Sequence, residues 1–251
     1  WTPITYEITY KDKDGAIFSG IHDNPPTTYT YGTEVTLTNP TKAHYSFDGW
    51  FMDPDCSGLP VTRILATDIG NKTFYAKWTP DSYAITYTLN GGTNASNPTS
   101  YTYGVGVAAL LPPTKAGYDF GGWYTDVQLT KAAASPVISA TDTGSKVFYA
   151  KWTPKNYTVT YSELYGTTHN NPVTYTIETD TITLTAPSER TGYSFVGWFD
   201  AQNGGNQVTQ IAKGSMGDRT IYARWSVLSY TITYALNGGT GASNPTSYTY
   251  G

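Results

Sequence analysis

The chain has 251 residues, 15 Lys and Arg against 19 Asp and Glu, and a formal net charge of −4. With charged residues at only 14% and no long basic run, it lacks what is needed to neutralise a phosphate backbone, so nucleic acid is excluded as a natural partner, and no apolar run reaches the 18 residues that a membrane-spanning helix needs. Its single cysteine, Cys56, rules out an internal disulfide framework, while an aromatic content of 15% points to small cores built from large rings.

Trp1-Thr2-Pro3 matches Trp78-Thr79-Pro80 and Trp152-Thr153-Pro154, and reads as the tail of a preceding copy of a repeated unit. The first element follows at Tyr6-Glu7-Ile8-Thr9-Tyr10. Its alternation puts Tyr6, Ile8 and Tyr10 on one face, as in a half-buried strand. Counterparts begin at Tyr83, Tyr157 and Tyr230. A turn comes next. It is Asp14-Gly15 in copy one, Asn90-Gly91 in copy two, Tyr165-Gly166 in copy three and Asn237-Gly238 in the last, partial copy. Asn-Gly supplies the positive φ angles of a tight reversal. A second strand is expected around Tyr101-Thr102-Tyr103, entered through Asn97-Pro98 and paired with the first. Leu110-Leu111-Pro112-Pro113 is proline-stiffened and cannot be helical.

The third strand carries the motif that organises the chain: aromatic-x-Phe-x-Gly-Trp-aromatic at Tyr45–Phe51, Tyr118–Tyr124 and Tyr193–Phe199. Its tryptophans, Trp50, Trp123 and Trp198, stand 73 and 75 residues apart, which is the mark of one unit copied in tandem. The Gly-Trp step breaks the alternation and predicts a bulge. Between this strand and the last, Lys131-Ala132-Ala133-Ala134 permits one or two helical turns in copy two, whereas Asn203-Gly204-Gly205 in copy three resists them. The closing strand is Phe74–Trp78, Phe148–Trp152 or Ile221–Trp225, with Tyr75, Tyr149 and Tyr222 on its polar face.

This pattern gives repeat 1 at 4–78, repeat 2 at 79–152, repeat 3 at 153–225 and a partial repeat 4 at 226–251, after a three-residue tail at 1–3. The partial copy matches Tyr83–Gly104 at 19 of 22 positions and holds only the first hairpin. Linkers of about four residues, two of them with proline, predict a semi-rigid string of units about 30 Å across, on the order of 100 Å if extended. The expected core comprises Phe47, Trp50, Trp78, Phe120, Trp123, Trp152, Phe195, Trp198 and Trp225.

Three motifs stand in order in copy two, with variants in copies one and three: Tyr-x-Ile-Thr-Tyr-x-Leu-Asn-Gly-Gly, Gly-Tyr-x-Phe-x-Gly-Trp-Tyr and Phe-Tyr-Ala-Lys-Trp. In this order and spacing they resemble the Listeria–Bacteroides repeat, the B-repeat of internalin-type bacterial surface proteins. The resemblance implies mainly β, β-grasp-like units, each a four-stranded mixed sheet with a short helix or loop. It also implies an extracellular place, at the bacterial cell surface or in the cell wall, and a spacer or adhesive role with no catalytic residues. Copy three departs from the pattern by losing Asn-Gly-Gly.

No enzyme chemistry emerges. His22, His44 and His169 fall at non-equivalent places in the repeats, next to no repeated acid. Asp68 and Asp142 recur ten residues before the closing tryptophan, as turn or capping residues, with Ser215 in copy three. Lys42 and Lys115 are equivalent and could suggest a Lys–Asn cross-link, but copy three has Glu189 or Arg190 there. Cys56 reads as an incidental loop thiol, and Asp53 with Asp55 falls short of a calcium loop. No cofactor and no metal is implied. The candidate binding surface is the row Tyr75, Tyr149, Tyr222, whose rings could stack on sugars; the plainer reading is packing across the sheet. Candidate partners are a host surface protein or glycan, and a second chain added through open strand edges.

Overall fold

A computed structural model describes residues 2–241 and 243–251. In repeat 1 the strands are β1 (Thr5–Asp12), β2 (Thr28–Thr30), β3 (Val35–Thr36), β4 (Tyr45–Phe51), β5 (Arg63–Ile64) and β6 (Lys72–Pro80). Repeat 2 has β7 (Ser82–Thr88), β8 (Ser100–Thr102), β9 (Tyr118–Tyr124) and β10 (Lys146–Pro154). Repeat 3 has β11 (Tyr157–Ser162), β12 (Thr174–Tyr175), β13 (Ile182–Thr183), β14 (Tyr193–Phe199), β15 (Gln210–Ile211) and β16 (Arg219–Val227). The partial copy has β17 (Ser229–Thr231) and β18 (Ser247–Thr249).

Each complete repeat is one four-stranded mixed sheet, in the orders β2-β1-β6-β4, β8-β7-β10-β9 and β12-β11-β16-β14. The first two strands form an antiparallel pair, with Tyr6 opposite Tyr29 and Tyr83 opposite Tyr101. The first strand also runs parallel to the closing strand, with Tyr10 opposite Phe74 and Tyr161 opposite Ile221. The Phe-x-Gly-Trp strand pairs antiparallel with the closing strand on its other side. Its register slips between Phe47 and Gly49, and again between Phe195 and Gly197. This is the bulge that the Gly-Trp step predicted. It returns Trp50 and Trp198 to the core face, and the glycines take φ angles of 134° and 151° there.

Six buried positions recur in every copy. They are Ile8, Ile85 and Val159; Tyr29, Tyr101 and Tyr175; Trp50, Trp123 and Trp198; Ile64, Ile138 and Ile211; Phe74, Phe148 and Ile221; and Ala76, Ala150 and Ala223. The alanine in the centre of the closing strand is sealed in each complete copy, at 0%, 0% and 3% exposure. The fourth position of the set sits on a short second ladder. This is β3–β5 in repeat 1, β13–β15 in repeat 3, and a single bridge between Val107 and Ile138 in repeat 2.

No α-helix occurs among the described residues; a single three-residue 3₁₀ turn spans Lys13–Gly15. The alanine run of repeat 2, which its propensity would allow to coil, is extended instead. Ala132 bridges Tyr124, and the Ala133 amide donates to the Trp123 carbonyl. The Asp126 carboxylate meanwhile accepts from the Thr130 and Lys131 amides, so main-chain groups that a helix would use are already satisfied.

The chain divides into two compact units. One holds the chain through Asn90 with Asn94–Pro112 and Gly122–Ala150; the other holds Gly91–Thr93, Pro113–Gly121 and Lys151–Gly251. Within the first, the joint from repeat 1 to repeat 2 is made by the Asp81 amide donating to the His44 carbonyl at 3.0 Å. Tyr103 then lies against His44 and Tyr45, with ring centroids at 4.7 and 5.7 Å. Within the second unit the same bond recurs twice, from Lys155 to Gly117 and from Leu228 to Gly192, both at 2.9 Å. Ile177 and Tyr250 stand where Tyr103 stands, directly over Gly117 and Gly192.

Candidate functional site

A polar cleft lies in repeat 3. It starts from the turn after β11. In all four copies this turn has two successive residues with positive φ, at Asp14-Gly15, Asn90-Gly91, Tyr165-Gly166 and Asn237-Gly238. Asp and Asn enter that conformation readily, whereas a bulky ring there costs about 1–3 kcal/mol. Tyr165, at φ 48°, is the exception among the four, and its side chain is 61% exposed.

Opposite this turn, just before the Phe-x-Gly-Trp strand, stands a recurrent cation. Lys42 lies 4.4 Å from the Tyr45 ring and 5.6 Å from Trp78. Lys115 lies 4.0 Å from Tyr118 and 5.9 Å from Trp152. In repeat 3 the place is taken by Arg190, 3.7 Å over Tyr193 and 5.7 Å from Trp225, which resolves the choice between Glu189 and Arg190. Each cation rests its stem and charge over the open end of the aromatic core, an arrangement worth about 0.5–1 kcal/mol at an exposed site. In repeat 3 the turn itself adds a ring, where repeats 1 and 2 carry Asp14 and Asn90: Tyr165 is 4.0 Å from the Arg190 guanidinium, which lies between the Tyr165 and Tyr193 rings.

Glu163 supports this arrangement. Its carboxylate accepts from the Tyr165 hydroxyl and, at 2.8 Å, from the Gln202 amide. That hydrogen bond is the main reason the Tyr165 phenol is pushed above its ordinary pKa. Arg224 stacks 3.7 Å over Phe199 and donates to the Ala201 and Gly204 carbonyls. Together with Trp225, these groups bound a cleft of about 570 Å³.

The residues singled out from the sequence are distributed as follows. Trp50, Trp123 and Trp198 are buried at 1%, 7% and 3% exposure. Their indole N–H groups donate to the carbonyls of Thr38, Leu111 and Thr185. Phe47, Phe120 and Phe195, and the closing Trp78, Trp152 and Trp225, are half-buried. Trp225 doubles as a cleft wall, and its N–H donates to the Glu163 carbonyl. Tyr75, Tyr149 and Tyr222 are half-buried on the closing strands; Tyr75 and Tyr222 face Phe51 and Phe199 across the sheet.

Other features were invisible in the sequence. Asn97 and Asn171 are buried, and each binds both the amide and the carbonyl of one residue, Leu111 or Thr185, the same carbonyl that takes the tryptophan N–H. His22 and His169, read as non-equivalent from their spacing, reach equivalent places in space. His22 packs on Tyr10 and Trp50, and His169 on Tyr161 and Trp198. Both stand two residues before the recurrent Asn-Pro, at Asn24 and Asn171, a correspondence that counting from the first strand misses. Cys56 is in a turn, as its neighbours suggested, but its thiol is buried at 3% exposure and burial pushes its pKa up. Asp68 and Asp142 each accept an amide three residues back, from Leu65 and Ser139, as turn residues do. No cluster of three or more potential metal-ligating side chains occurs among the described residues.

The profile of the Listeria-Bacteroides repeat domain matches residues 6–77, 83–151 and 157–224. The chain belongs to this family. A protein of Evansella cellulosilytica named "Putative Gly-rich membrane protein" is 28% identical over 97% of this chain and 27% of its own length. A second membrane protein so named from that organism is 33% identical over 78% of the chain and 29% of its own length. Internalin H of Listeria monocytogenes is 31% identical over 58% of the chain and 25% of its own length. The chain thus spans less than a third of the length of each of these relatives. No helix among the described residues is long and apolar enough to cross a membrane.

Proposed function

We propose that the Listeria-Bacteroides repeats of this chain are a non-enzymatic segment of a bacterial surface protein and act as a semi-rigid spacer that carries other domains away from the cell. One observation carries the reading. The same main-chain bond joins each copy to the next, from Asp81 to His44, Lys155 to Gly117 and Leu228 to Gly192. A bond made just before the first strand of the new copy ties the start of that copy to the one before it. Stacked units coupled only to their neighbours are the general logic of repeat arrays. The relatives named as membrane proteins and as an internalin agree with a surface setting. The recurrent positions are core and joint positions, and no constellation of nucleophile, acid and base repeats with them, which favours a mechanical role over catalysis.

Small-angle scattering of the chain tests the proposal. Three complete units in extended array give a maximum dimension on the order of 100 Å. A particle with the dimensions of one compact globule would overturn it.

A further inference from the structure

Two of the places where repeat 3 departs from its siblings meet in space. Tyr165 replaces the Asp or Asn of the turn, and Arg190 replaces the Lys of repeats 1 and 2. Either change alone would be drift. Together they build the Tyr165–Arg190–Tyr193 sandwich, with ring distances of 4.0 and 3.7 Å, which repeats 1 and 2 do not have. The turn holds Tyr165 in a backbone conformation that bulky residues rarely adopt, and such a conformation points to a use.

The sandwich leaves the edge of the guanidinium open. Among the described residues none accepts a hydrogen bond from the Arg190 side chain and none forms an ion pair with it. A planar fork of donors, fixed by rings on both faces and otherwise unengaged, suits a carboxylate approaching in its plane, because two parallel charge-assisted bonds form with little ordering left to do. The neighbouring acid does not occupy it: the Glu163 oxygens accept from the Tyr165 hydroxyl and the Gln202 amide. Arg224 adds a second positive charge to the wall. At about 570 Å³ the cleft is of small-molecule size, and its wall mixes aromatic faces (Tyr165, Trp225) with amides (Gln202, Asn203). Amides and rings suit the hydroxyls and C–H faces of a sugar.

We infer that repeat 3 carries a binding site for an acidic saccharide, with the sugar carboxylate on the edge of Arg190 and its ring beside Trp225 and Tyr165. The site is independent of the spacer reading: a rigid array can carry it, and so can a compact one.

The test is an NMR titration of the whole chain, following the indole N–H signals, with glucuronic acid, glucose and glutamate as probes. Glucuronic acid moves the Trp225 signal saturably, and glucose at equal concentration does not. Arg190→Lys and Tyr165→Asn restore residues that sibling copies carry, so both variants fold, as unmoved Trp50 and Trp198 signals will show. Each weakens glucuronic acid binding by about tenfold, because the fork or its second ring is lost. No saturable shift with glucuronic acid, or equal binding by wild type and both variants, overturns the inference. Glutamate binding as tightly as glucuronic acid also overturns it, since the site would then read an acidic peptide side chain and not a sugar.

Discussion

His22 shows how little of a side chain's role its sequence neighbours reveal. Its ring lies against Tyr10, Phe18 and Trp50, and one nitrogen bonds the Thr38 hydroxyl at 2.8 Å. The other, Nδ1, is buried without a partner among the described residues. Burial lowers the pKa of this imidazole, against the weaker upward pull of the Thr38 main chain and the Asp23 charge. The folded value is therefore below the unfolded value of about 6.5, and the unfolded chain binds more protons between the two. The stability contributed by neutral His22 is complete above about pH 6.5 and is lost as the pH falls through the folded pKa. Repeat 1 should accordingly loosen on acidification, read as faster exchange of its core amides, and less so in His22→Gln. A His22 that titrates above 6.5 would contradict this. The same lesson applies at Arg190. Its basic neighbours in the alignment were legible as Lys42 and Lys115, but the ring that closes over it comes from a turn 25 residues earlier, and only folding brings the two together.

At the level of elements, the strands were readable because each has a period-two pattern strong enough to survive substitution. Tyr6, Ile8 and Tyr10 face inward where alternation placed them. The bulge was readable too, because Gly-Trp forces two residues to oppose one. Gly49 makes the cost concrete. Its φ is 134°, and a methyl group there would sit 2.7 Å from the Pro60 side chain, a rigid ring. Gly49→Ala should destabilise repeat 1 by about 2 kcal/mol or more. Gly32→Ala, also at positive φ but facing open space, should cost about 1 kcal/mol. Urea unfolding of the two variants decides it, and equal losses would remove the bulge as a point of constraint. The extended alanine run of repeat 2 was not readable, since intrinsic propensity cannot register a cap by Asp126 or a bridge to Tyr124. Nor was the parallel pairing of first and closing strands, which depends on contacts between residues more than sixty positions apart.

At the level of the whole chain, coupling between copies rests on few atoms. In the joint from repeat 2 to repeat 3, Ile177 lies directly over Gly117, where an added methyl would meet its side chain at 2.6 Å. Ile177→Ala removes part of that contact and should cost about 1–2 kcal/mol of coupling between neighbours. Denaturant unfolding should then separate into broader or distinct transitions followed at Trp152 and Trp198. An unchanged single transition with an unchanged slope would show that the joint carries no coupling. The sequence displayed short linkers but not this seat, because Tyr103 read there only as a residue of the second strand.

The bond at each joint runs from one peptide amide to one peptide carbonyl, and neither end belongs to a side chain. The main-chain part of the seam therefore asks no matched substitutions of its two sides; only the side-chain seat at Tyr103, Ile177 or Tyr250 does. Duplication or loss of a whole copy in the gene would lengthen or shorten the protein in steps of one module and leave every remaining seam intact. Away from that one seat, each module can then acquire surfaces of its own.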